Sequence, residues 1–191
     1  MSVKLLKRQL KPNHIYRRSD LERLSGSIDR DLYTLVNEGF LRKESAGLYY
    51  RPKKSKFGPV PPSHHSLVAA FLKTEDFLMF SYTDFNSLGL GLTQQYNRYV
   101  IYNNKRHEEK KMAGVIFVFR RRVNFPKKVT PEFLFIEYLN QEKHLAEKTR
   151  LSREALLAQM KHYRSKILKN IARDFGKVHT KKLVANYFRA A

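Results

Sequence analysis

Carboxylates and lysines within a few residues of one another are the raw material of metal-dependent phosphodiester cleavage. One such cluster is Glu108-Glu109-Lys110-Lys111, with Asp84 as a further carboxylate. A centre of that kind holds Mg²⁺ on carboxylates carried by a buried strand. Here the quartet falls in the polar stretch Asn103 to Met112, which reads as a turn or exposed loop, so a solvated charge run accounts for it better. His64-His65 has metal-ligating donors, yet no further His, Asp or Glu follows at ligand spacing, and a pair at a helix N-terminus beside Ser63 is the simpler reading. Gly89-Leu90-Gly91 lacks the third glycine and the Lys-Ser/Thr ending of a phosphate loop and marks a tight turn. No nucleophile with a base and an orienting group is legible. These residues predict neither a catalytic centre nor a metal or cofactor site.

Contact with a polyanion suits more of the chain. Arg30 can donate two hydrogen bonds to a guanine edge, with Ser27, Asp29, Tyr33 and Thr34 around it. Arg42, Lys43, Arg51 and Lys53 follow and can meet a phosphate backbone or a minor groove. Arg120-Arg121-Arg122, directly after an apolar run, forms a further basic patch suited to phosphate or to an acidic partner protein.

The elements that must position these groups are compact. Ser19 is placed to cap a short helix from Asp20 to about Leu24, and Ser25-Gly26 breaks it. Ser27 is placed to cap a second helix from Ile28 to about Glu38, with Ile28, Leu32, Leu35 and Val36 at core-facing spacing. Gly39 stands where a helix end favours a left-handed residue. Phe40 to Lys43 and Leu48 to Arg51 read as two short strands about a turn through Ser45-Ala46-Gly47. With an earlier basic helix near Ser2 to Leu10, this is the outline of a winged helix-turn-helix. The helix headed by Ser27 would enter the major groove, and Ser27 with nearby backbone N–H groups would hold a phosphate. Asp29 and Asp31 at its head suit the helix dipole but repel phosphate.

The composition points the same way. The 191 residues carry 38 Lys and Arg against 17 Asp and Glu, a net charge of +21, which implies a polyanionic partner, most commonly nucleic acid. The charge is +8 over residues 1–56, +4 over 57–140 and +9 over 141–191, so the two ends are the basic parts. There is no Cys, which excludes disulfides and thiolate metal ligation. No apolar run suits a signal peptide or a membrane span, so the expected location is cytoplasmic and no membrane partner is expected.

Arg51 to Pro62, with four prolines and a glycine, reads as an extended linker. It divides the chain into a winged-helix DNA-binding domain over 1–56 and an α/β domain over 57–191. In the latter, helices are expected over His64 to Lys73, Asp84 to Leu90 and Thr130 to Glu147, and strands over Phe77 to Tyr82, Arg98 to Tyr102 and Val115 to Phe119. Ser152 to Phe175 reads as one long helix with the apolar row Leu156, Met160, Tyr163, Ile167, Ile171 and Phe175. Its other face carries Lys161, Arg164, Lys166, Lys169 and Arg173, and a final short helix carries Leu183, Val184, Tyr187 and Phe188. The fold class is α+β: an N-terminal winged helix-turn-helix, a mixed α/β second domain and a basic helical tail.

Several stretches together resemble the AbiEi-type antitoxins of bacterial type IV toxin–antitoxin systems. They are Leu21-Glu22-Arg23-Leu24, Ser27-Ile28-Asp29-Arg30, Leu35-Val36-Asn37-Glu38-Gly39 and Gly47-Leu48-Tyr49-Tyr50-Arg51-Pro52-Lys53, then Asn86-Ser87-Leu88-Gly89-Leu90-Gly91-Leu92-Thr93 and Tyr102-Asn103-Asn104-Lys105-Arg106-His107. The resemblance covers most of residues 15–150, and the basic tail beyond Thr149 matches least. It implies a two-domain antitoxin that represses its own operon at inverted repeats, as an oligomer if need be. It also implies a partner toxin, nucleotidyltransferase-like, to which the catalysis belongs. Two other readings remain: a metal-dependent nuclease or other nucleic-acid-processing protein using Asp84, Glu108 or Lys110, and a basic RNA-binding protein.

Overall fold

The computed structural model of the chain describes residues 3–145 and 153–190. The protein is α+β, and its contacts divide it into two compact units, residues 1–76 with 109–116, and residues 77–108 with 117–191.

The first unit begins with α1 (Val3–Gln9), β1 (His14–Arg17) and α2 (Arg18–Leu21), which tightens into a 3-10 turn over Glu22–Leu24. Helix α3 (Ile28–Asn37) follows. Its inward face, Ile28, Leu32 and Leu35, packs with Leu6 and Leu10 of the α1 segment, Leu21, Leu41 and Tyr49. The end of α3 is fixed by Gly39 at φ +68°. The Gly39 N–H bonds Val36 O and the Phe40 N–H bonds Leu35 O, both at 3.0 Å, which satisfies carbonyls that the helix leaves open. The chain then enters β2 (Arg42–Ser45) and returns in β3 (Leu48–Arg51). β3 is the middle strand of a three-stranded antiparallel sheet in the order β1-β3-β2, and the register slips between Lys43 and Ser45, leaving Glu44 as a bulge.

Two local expectations need correction here. The helix expected from Asp20 starts at Arg18, and Ser19 does not cap it; Arg17 holds the cap position and reaches Asp20 at 2.6 Å. Ser27 does occupy the cap position of α3, but its side chain accepts no bond from the first turn.

The expected linker is also wrong in kind. Lys53–Ser55 (β4) and Gly58–Val60 (β5) pair as an antiparallel ribbon. Proline is tolerated in a two-stranded ribbon because its missing donor can face solvent. The boundary between units accordingly falls after Asp76 rather than at 56/57. Helix α4 (His64–Leu72), capped by Ser63 Oγ on the Ser66 N–H, is counted with the first unit.

A four-stranded sheet has the order β6-β7-β9-β8, from β6 (Phe77–Ser81), β7 (Arg98–Asn103), β8 (Glu108–Met112) and β9 (Val115–Arg121); β6, β7 and most of β9 belong to the second unit, while residues 109–116 are counted with the first. β6 and β7 are joined through a 3-10 helix over Tyr82–Leu88, ended by Gly89 at φ +69°. β8 is a strand, not the expected loop, and the Ala113 N–H at its turn approaches Glu44 O at 3.4 Å. β9 runs on to Arg121, so two of the three arginines lie within the strand instead of after it.

Helix α5 (Pro131–Gln141) starts as expected, with Thr130 Oγ1 accepting from the Phe133 N–H at 3.2 Å, but gives way to a 3-10 turn at Glu142–His144. The expected continuation through Glu147 lies outside the described residues, as does Ser152. The long tail helix is two helices, α6 (Arg153–Met160) and α7 (Ser165–Phe175), followed by α8 (Val178–Ala190). Bonds from Lys161, His162 and Tyr163 to the carbonyl three residues back tighten the chain between α6 and α7 and reset the helical phase. After the reset, Leu168 and Ala172 are the buried positions of α7, and Ile167, expected in the apolar row, turns outward. Leu156, Met160, Leu168, Ala172 and Val184 join Phe80, Phe133, Phe135 and Tyr138 in one core.

A polar network runs through that core. Tyr102 Oη donates to Glu137 Oε1 at 2.6 Å, and Asn140 and Gln141 donate to the same carboxylate. Burial, then the adjacent carboxylate, holds the Tyr102 phenol protonated far above its ordinary range. Asn140 in turn donates to Phe175 O and accepts from the Lys177 N–H and Thr180 Oγ1, tying α5 to the α7–α8 junction. Among the described residues, no helix is long and apolar enough to cross a membrane.

Candidate nucleic-acid interface

The head of α3 carries the groups expected from sequence to meet base edges. A recess of about 350 Å³ is lined there by Arg18, Glu22, Ser25 to Ile28, Asp29 and Arg30. The N–H groups of a first helical turn have no carbonyl ahead of them, so this end attracts anions. Ser27 and Arg30 are exposed, Tyr33 is 69% exposed on the same helix, and Thr34 is half-buried with its hydroxyl on Arg30 O at 3.0 Å.

The two acids that counted against this site are both engaged. Asp31 is buried and accepts from Ser25 Oγ at 2.5 Å. Asp29 receives two bonds from the Arg18 guanidinium, at 2.6 and 2.7 Å, and Arg18 also pairs with Glu22. Arg18 therefore clamps α3 to the α2 segment and covers two carboxylates with one cation. Its hydrogen bonds hold the Asp29 carboxyl below its ordinary value of 3.8. Sequence reasoning overlooked Arg18; its spacing of four residues from Glu22 was the available signal.

Asp29 is a group whose folded pKa is depressed. Its contribution is present above the ordinary carboxylate value and is lost as pH falls through the lowered one. The clamp is thus expected to stay closed at neutral and mildly acidic pH and to open only in strong acid, as carboxylate NMR titration of Asp29 would report. Arg18→Ala is expected to weaken DNA binding several-fold by baring Asp29 and Glu22, and Asp29→Asn in that background to restore part of it. Equal binding by Arg18→Ala and the parent would refute the clamp's role.

The hairpin cations are not equivalent. Lys43 and Lys53 are exposed. Arg42 is half exposed, its Nε 3.5 Å from Glu44, whose carboxyl is pushed up by burial against the opposing effect of Arg42. Arg51 faces inward: it bonds Leu10 O, and its guanidinium lies 4.5 Å from the centre of the Phe40 ring. Arg51 thus anchors the α1 segment to β3, which corrects its expected role as a backbone contact.

In the second unit, Arg121 is exposed while Arg122 stacks 4.1 Å above the Tyr102 ring and donates its N–H to Asn103 O. Arg120 is half-buried, close enough to Tyr82 to oppose the burial that raises that phenol. Arg120, Arg121 and Arg122 are therefore not one continuous patch.

The carboxylates weighed for catalysis have separate duties. Asp84 caps its own 3-10 helix by accepting the Ser81 N–H at 2.8 Å, and Glu108 pairs with Arg106 at 3.1 Å. Among the described residues, no three His, Asp or Glu side chains are grouped to hold a metal ion.

No family model matches the chain, and no curated protein matches it. Its fold is similar to that in the crystal structure of the RV2827C protein from Mycobacterium tuberculosis, with a TM-score of 0.60 at 13% sequence identity over 98% of this chain and 74% of that one. At that identity the likeness is one of fold alone.

Proposed function

We propose that the chain is a DNA-binding antitoxin and autoregulator, with a winged helix-turn-helix in its first unit and no catalytic activity of its own. Helix α3 enters the major groove and the β2–β3 hairpin is the wing. The observation that carries the DNA reading is at the head of α3, where Arg30 points to solvent while Arg18 and Ser25 engage the neighbouring acids. The Arg18 N–H donates to Gly47 O at 2.9 Å, which holds the hairpin turn beside the start of α2 and groups the parts a groove would meet. The antitoxin role rests on the resemblance of the two series of quoted stretches to the AbiEi-type family. The partner is then a nucleotidyltransferase-like toxin, and the setting is the cytoplasm.

Arg30→Ala is expected to cost about 1–3 kcal/mol in binding to the promoter of its own gene, the usual worth of a bidentate base contact. Binding to unrelated duplex should change little. An equal loss on both would make Arg30 a phosphate contact and displace α3 from the groove. For the antitoxin role, co-expression with the product of the adjacent gene should rescue growth, and failure to rescue a toxic neighbour would remove it.

A further inference from the structure

The β4–β5 ribbon carries Phe57 at its tip, and that ring is 101% exposed, the most exposed large apolar side chain described. Lys53, Lys54 and Lys56 surround it, all exposed, and no acid occurs between Glu44 and Glu75. The tip is built rather than loose. The Phe57 N–H donates to Ser55 Oγ at 3.2 Å, and the Ser55 hydroxyl donates to Gly58 O at 2.7 Å. Gly58 takes φ +107°, a conformation that an L side chain rarely adopts. The return strand is tethered as well, since the buried Tyr50 hydroxyl lies 3.0 Å from Val60 O. A large aromatic held rigidly in water has burial energy still to gain.

We propose that this ribbon is a second DNA contact, in which Phe57 wedges into a base step of a duplex while Lys53, Lys54 and Lys56 meet the flanking phosphates. The proposal rests on the DNA-binding reading above and adds a site to it. A two-stranded ribbon fits a DNA groove, and an apolar side chain at such a contact can part stacked bases. The β2–β3 turn precedes Leu48 at one end of β3, and the ribbon continues from Arg51 at the other. The contact is therefore distinct from the one made by the β2–β3 turn. A duplex accounts for both halves of the feature, with phosphates for the lysines and π-faces for the ring. One ring with three lysines is by contrast a weak single anchor for a bilayer.

The chain has no Trp, so Phe57→Trp installs a unique fluorescent reporter at an exposed position where folding is not at stake. The parent chain, Phe57→Trp and Phe57→Ala are titrated with a mixed-sequence duplex of about 30 base pairs, and separately with vesicles of phosphatidylserine and phosphatidylcholine. The expected result is quenching of the introduced indole by the duplex. Phe57→Ala should bind about fivefold to a hundredfold more weakly, the range for loss of one stacked base, with an unchanged salt slope because the lysines remain. Duplex binding by the parent with an unquenched indole and unimpaired Phe57→Ala overturns the wedge and leaves the α3 reading standing. No duplex binding by the parent overturns both. A blue-shifted indole on vesicles without a response to duplex reassigns the tip to an anionic membrane surface and overturns the proposal.

Discussion

Deletion of residues 150–191 is expected to leave a protein that aggregates or collapses into a molten state, whether or not DNA is present. The deleted helices α6, α7 and α8 supply Leu156, Met160, Leu168, Ala172 and Val184 to the core of the second unit. Truncating a single buried Leu or Met to Ala costs about 2–5 kcal/mol, against about 5–15 kcal/mol for a whole domain. The deletion also strips Asn140 of its bonds to Phe175, Lys177 and Thr180 inside the core. Buried polar groups left unpaired cost about 1–3 kcal/mol each. Amide NMR dispersion and binding of a hydrophobic dye would report the outcome. As a milder variant, Leu168→Ala should lower stability by about 2–5 kcal/mol while the protein still folds. A soluble truncated chain with well-dispersed spectra would show that the tail is an appendage.

DNA binding should weaken steeply with salt. Each phosphate neutralised contributes a slope of about −0.9 to the dependence of log affinity on log salt, so about four such contacts predict roughly a hundredfold loss between about 50 and 200 mM. Arg42, Lys43 and Lys53 are the exposed hairpin cations placed to make them, and Lys54 and Lys56 add to the same side of the balance. Arg51 should contribute nothing to the slope, because its guanidinium is committed to Leu10 and Phe40. A flat salt response in equilibrium titrations would remove phosphate neutralisation as the source of affinity. A slope that falls in Arg51→Lys without loss of stability would remove the internal role assigned to Arg51.

Much of the first unit was legible because its signals are local. The spacing of Ile28, Leu32 and Leu35 together with Gly39 defines α3, and the closing bonds of that helix need only six consecutive residues. The start of α5 was legible for the same reason, through Thr130 and Pro131. What escaped lay where the composition argues against the element that forms. β8 has almost no apolar content, and pairing with β9 makes it a strand. The Pro-rich stretch lacks β propensity, yet β4 and β5 pair, with Tyr50 tethering the return strand. The row from Leu156 to Phe175 has a credible helical period, but the break at Lys161 to Arg164 answers to packing that a period cannot encode. At the candidate interface, sequence supplied Arg30 and both acids. It could not supply the fact that Arg18 and Ser25 hydrogen-bond those acids, since residues 18 and 29 meet only once α2 and α3 are folded.

The charged composition of β8 has a consequence for colloidal behaviour. A terminal strand of a sheet offers unpaired amides and carbonyls to any passing chain, and stacking of copies along such strands is a route to fibres. β8 is terminal in the order β6-β7-β9-β8, and its residues 108–111 alternate no apolar side chain with their charges. A second copy laid antiparallel on it in the symmetric register would set Glu108 against Lys111 and Glu109 against Lys110, at the expense of the hydration of all four groups. The quartet that invited a search for metal chemistry thus makes any such pairing sensitive to register and to salt.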